Sequence, residues 1–125
     1  MKPVSPLLGL GLLLAAGPTP AAGSRLAVED ARPLMLRALD AADGRAQGVL
    51  VGDSARSLAQ HFQTSAPVLV DVVTLRHFSQ PGCRRLQVTF RQEGVRLTGA
   101  DLAGPRSLAF GINFCRDGQP PRSLE

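Results

Sequence analysis

Two stretches decide the fold: Cys83–Gln92, CRRLQVTFRQ, and Ser107–Cys115, SLAFGINFC. In the first, Leu86, Val88 and Phe90 share one side, and Arg85, Gln87, Thr89 and Arg91 the other. In the second, Leu108, Phe110, Ile112 and Phe114 alternate with Ala109, Gly111 and Asn113. A period of two is the signature of a half-buried strand. Set antiparallel with Cys83 opposite Cys115, the pair places Leu86 opposite Ile112, Val88 opposite Phe110 and Phe90 opposite Leu108. Every apolar residue meets an apolar one. Both cysteines fall on the polar side, at the same end of the ladder. A slip of one residue would turn the whole apolar set to the wrong face. Pleat and cysteine pairing are separate constraints, and they agree on one register.

The cysteine argument needs an oxidising compartment, and the N-terminus supplies the reason to expect one. Met1-Lys2 gives a positive start, and Leu7–Ala16 (LLGLGLLLAA) is an apolar run. Gly17-Pro18-Thr19-Pro20 breaks a helix, and Ala21-Ala22-Gly23 offers small residues to a peptidase. That order is the pattern of a secretory signal peptide over 1–23. Cleavage after Ala21, Ala22 or Gly23 satisfies the rule, with Gly23 preferred. The apolar run is too short for a bilayer, which takes roughly 20 residues. The expected address is periplasmic or secreted, in a bacterium. There the two cysteines are expected to be bridged, and a single pair has one connectivity. Closing that loop stabilises by about 3–4 kcal/mol in the loop-entropy model.

Working outward, Pro67–Phe78 (PVLVDVVTLRHF) reads as a further strand and Ser79–Gly82 as a turn. Val95 and Leu97, within Glu93–Arg106, suggest a short extra strand. Before these lies Arg25–Gly44, read as loop and then helix, with Asp30 as cap, Pro33 in the first turn and Gly44 as stop. Leu34, Met35, Ala38, Leu39 and Ala42 recur at helical spacing and form its apolar stripe. Gly48–Gly52 (GVLVG) is a short strand candidate. Ala55–Phe62 is a second helix, with Asp53 or Ser54 expected to cap it. The implied fold is α+β: a small antiparallel sheet with one or two helices packed on one face, and one disulfide. The competing architecture is a small β-sandwich with minor helices. Residues 24–125 make one small domain, ending in an extended tail over 116–125.

Composition excludes more than it proposes. Thirteen arginines carry all the positive charge after Lys2, spread along the chain with Arg84-Arg85 the single adjacent pair. Arginine stays protonated, so no Schiff-base or proton-abstracting amine is on offer. There is no Trp or Tyr, and the arginines form no basic stripe. This argues against nucleic-acid binding. Two histidines, His61 and His77, supply no metal-ligand cluster. No cofactor motif is present.

One motif hints at catalysis. Gly52-Asp53-Ser54 after Val49-Leu50-Val51 resembles the strand–Gly-Asp-Ser start of the SGNH/GDSL hydrolases, in which that serine is the nucleophile. Those enzymes also place an Asp and a His, with two residues between them, near the C-terminus; here no histidine follows His77. An unactivated serine is a poor nucleophile. His61 and His77 read as ordinary surface or half-buried side chains. Asp71 interrupts an apolar strand and is expected to be solvated or paired with an arginine. Arg84 and Arg85 are candidates for binding an anion, or simply a charged strand edge that discourages aggregation.

Three strings, Val70–Leu75 (VDVVTL), Ser79–Leu86 (SQPGCRRL) and Asn113–Pro121 (NFCRDGQPP), resemble a group of small uncharacterised exported proteins of Gram-negative bacteria. Some of that group accompany conjugative-element and type IV secretion gene clusters. The resemblance spans Gly48 to Ser123 and implies no catalytic residue. Together these readings point to an exported, non-enzymatic binding or structural component of an envelope assembly, whose partner is another envelope protein. The alternative is a small periplasmic serine hydrolase using Ser54 with His61 or His77 as base.

Overall fold

A computed structural model describes residues 3, 4, 9, 11, 24–99 and 102–125. The segment 1–23 read as an export signal lies, four positions apart, outside the described residues. Among the described residues no helix is long and apolar enough to cross a membrane.

The elements run β1 (Leu26–Val28), α1 (Arg32–Asp40), β2 (Arg45–Leu50), α2 (Asp53–Phe62), β3 (Leu69–His77), β4 (Cys83–Val95) and β5 (Gly104–Cys115). The five strands form one sheet in the order β1-β2-β3-β4-β5. Contacts β2–β3, β3–β4 and β4–β5 are antiparallel. The expected α+β arrangement, with its helices against one face of a small sheet, is what the chain adopts.

The β4–β5 register is the one read from the alternation. Cys83 faces Cys115, Leu86 faces Ile112, Val88 faces Phe110 and Phe90 faces Leu108. Cys83 and Cys115 are bonded, with Cα atoms 4.0 Å apart. They pack with Phe78 into a small buried cluster of their own, away from the helix-covered core.

Three departures have physical causes. The segment read as loop before α1 contains β1, which pairs parallel with β2 through Leu26↔Gly48 and Val28↔Leu50. Parallel neighbours need a crossover, and α1 is that crossover. The sheet is therefore antiparallel with one parallel strand added at its edge. No extra strand forms in the described part of Glu93–Arg106. Instead β4 continues to Val95 past a register shift after Gln92, where Gly94 has φ +67°. Buried Gln92 donates from Nε2 to the Ala66 carbonyl at 3.0 Å. Finally, neither Asp53 nor Ser54 caps α2. The N-cap is Gly52, at φ 83°, without a side-chain cap bond, and the Asp53 carboxylate pairs with Arg56 inside the helix.

The helices cover one face. In α1, Leu34, Ala38 and Leu39 are buried, while Ala42 lies beyond its end and is exposed. They meet Ala46, Leu50, Val70, Val72, Leu86 and Val88, the inward residues of β2, β3 and β4. Ala55 and Leu58 of α2 pack on the same cluster, but no residue of α2 is fully buried. The tail 116–125 has no regular element and folds back. Ser79 donates its amide to the Glu125 carbonyl at 2.7 Å, and Arg122 donates its amide to Gln80 Oε1 at 2.8 Å.

Candidate functional site

The structure disperses the residues that could have formed a hydrolase. Ser54 is exposed on the first turn of α2, and His61 lies on the same helix seven residues later, roughly 10 Å along the axis. The His61 ring sits edge-on against Phe62, with centroids 4.8 Å apart. His77 is exposed at the far end of β3 and faces Arg84 in the ladder. No hydrogen bond joins these side chains among the described residues, and no group of three metal-binding side chains is present there either.

Arg84 and Arg85 do not converge, because neighbours on a strand point to opposite faces. Arg84 turns to the helix side. Its Nη1 donates to the Ala38 carbonyl near the end of α1 at 3.2 Å and to Thr74 Oγ1 at 3.4 Å. That satisfies a carbonyl in the last turn of α1 and places a cation at the helix's negative end. Arg85 lies on the open face. Its Nη1 donates to Asn113 Oδ1 at 2.8 Å, and its guanidinium covers Gly111, where a β-carbon would sit 2.6 Å from Nη2. Asp71 takes the paired alternative. Its carboxylate accepts from Arg25 Nη1 at 2.8 Å, and the same nitrogen reaches the Gly48 carbonyl at 3.1 Å.

What the structure does bring together is an edge. β5 is the last strand in the sheet, twelve residues long, and nothing described pairs with its outer side. The sense of its hydrogen bonds tells which groups point out. Arg116 donates its amide to the Gly82 carbonyl, so Gly82 and Arg116 form a hydrogen-bonded pair. Pairs alternate along an antiparallel ladder. Cys83↔Cys115, Arg85↔Asn113, Gln87↔Gly111, Thr89↔Ala109 and Arg91↔Ser107 are then non-hydrogen-bonded pairs. The amides and carbonyls of Ser107, Ala109, Gly111 and Asn113 are therefore directed away from β4.

Natural edges are blunted by charge, proline, bulges or shortness. β1, at the opposite edge, has only three residues. β5 from Ser107 to Cys115 carries no charge and no proline. Its helix-side residues are also poorly covered: Leu108 is 66 % exposed and Phe110 43 % exposed. Between Leu108 and α2 runs an apolar groove of about 290 Å³, lined by Leu58, Phe62, Phe90, Val95 and Leu108. Phe90, at the groove, stacks on Phe110 with centroids 6.3 Å apart.

The open face beside this edge is basic. Arg76 faces Arg85 across β3 and β4, and Arg91 lies opposite Ser107. Arg76 covers the Phe78 ring at 5.6 Å. None of Arg76, Arg85 and Arg91 has a carboxylate partner among the described residues. Sequence reasoning reached the alternation that produces this edge but not its exposure, because strand order is a long-range property. Comparison with known proteins finds no matching family model, no matching curated protein and no matching solved structure.

Proposed function

We propose that this chain is exported to the bacterial periplasm, or released beyond it, and acts there without chemistry as a binding component of an envelope assembly of the secretion or conjugation kind. Its partner adds a strand to the outer edge of β5. The observation that carries this reading is the edge itself: a strand uncharged from Ser107 to Cys115, with backbone groups directed outward and two large apolar side chains, Leu108 and Phe110, in solvent. Strand addition uses such edges, with main-chain bonds for affinity and alternate side chains for specificity. The disulfide suits an oxidising compartment and holds β5 in register against β4.

The test is a single substitution, Ala109→Pro. The Ala109 amide faces outward, so proline removes a donor that the sheet does not use. Folding should survive, with Tm within about 3 °C of wild type for a change of roughly 0.5 kcal/mol. Affinity capture from the cell envelope with the full chain should then lose at least one protein that wild type retains. If both forms retain the same set, β5 is not the docking strand.

A further inference from the structure

Resting on that reading, we infer that the strand received by β5 is acidic at one defined position: an apolar–acidic–apolar triplet whose carboxylate lies opposite Gly111. The argument begins with the pleat. A residue paired with Gly111 points its side chain to the same face as Gly111 does, the open face. Gly111 has no side chain there, and the Arg85 guanidinium lies in that space. One Arg85 nitrogen is held by Asn113, while Nη2 is turned toward Gly111. Arg76 stands directly across from Arg85, and like charges in facing positions repel. A carboxylate arriving beside Arg85 relieves that repulsion and makes a charge-assisted hydrogen bond.

The neighbours of the triplet follow from the same alternation. Residues on either side of the acid point to the helix-covered face, beside Phe110 and Ile112 of β5. There they lie next to Phe110, which is 43 % exposed and stacks on Phe90. A lysine or arginine at the central position would meet the Arg85 guanidinium. A bulky apolar residue there would cover Arg85 without pairing it. The chemistry of the edge thus selects an amphipathic strand, greasy on one side and negative at the centre of the other.

The experiment uses three fluorescein-labelled nonapeptides with the full disulfide-bonded chain. Each alternates threonine and valine, with threonine at the odd positions except the fifth, which is glutamate, glutamine or lysine. The pattern is symmetric, so it presents the same faces in parallel or antiparallel pairing. By fluorescence anisotropy the glutamate peptide should bind about tenfold more tightly than the glutamine peptide, and the lysine peptide more weakly still. Arg85→Gln should bring the glutamate and glutamine peptides to the same affinity, and Ala109→Pro should lose all three. Equal affinity for the three peptides, or no binding, overturns the acidic preference, as does a preference that survives Arg85→Gln. Equal binding that is still lost in Ala109→Pro removes the acidic preference and leaves strand addition standing. Envelope capture unaffected by Ala109→Pro removes strand addition itself.

Discussion

Asp71 illustrates how much a single position can reveal and conceal. Its place in an apolar strand demands a solution for the charge: water or an arginine. The partner is Arg25, from the start of the described domain, and that pairing across β1, β2 and β3 could not be read locally. Arg25 is the more enclosed of the two, its side chain 11 % exposed against 30 % for Asp71. Removing the acid therefore strands a largely buried cation. Asp71→Ala is expected to lower the unfolding free energy by about 2 kcal/mol, and Asp71→Asn, which keeps an acceptor, by about 1 kcal/mol. Urea unfolding measures both: equal losses would mean that the acceptor kept by asparagine contributes nothing, and an unchanged stability in Asp71→Asn would mean that charge plays no part. Arg84 and Arg85 give the complementary lesson. Their opposite directions follow from strand geometry, but that Arg84 meets the Ala38 carbonyl depends on where α1 comes to rest.

Elements were legible in proportion to their patterning. β4 and β5 carry long alternation plus the cysteines, and their register was readable to the residue. β1 is three residues, Leu26-Ala27-Val28, too short to show a period. It is a strand only because α1 brings it against β2. The site was less legible than the fold, since alternation identifies a strand without saying whether it lies at an edge. Gly48 is where the β1–α1–β2 unit is tightest. A β-carbon there would sit 2.7 Å from Leu34 Cδ1 and 2.8 Å from the Leu26 carbonyl oxygen. The leucine can turn, but the backbone carbonyl belongs to the paired strand and cannot. Gly48→Ala should cost about 1–3 kcal/mol through overpacking. The damage should be local: amide exchange should quicken in β1 and β2 while β4 and β5 keep their protection. Uniform acceleration would instead make the β1–α1–β2 unit inseparable from the rest of the sheet.

For the whole molecule the Cys83–Cys115 bond dominates, since it ties residues 32 positions apart in a domain of about a hundred. Cys115→Ala should cost about 3–4 kcal/mol in the loop-entropy model. For a domain of this size that corresponds to a fall in Tm on the order of 15 °C or more. A melt without reductant measures it against wild type, and an unchanged Tm would remove the staple from the account of stability. The bond's location has a mechanical consequence as well. A partner strand anchored along β5 would transmit pulling forces into a ribbon welded at the end where the two sulfurs meet. Unzipping from that end would require breaking a covalent link. Any peeling under tension must begin at the opposite end, near Gly104, and travel toward the weld.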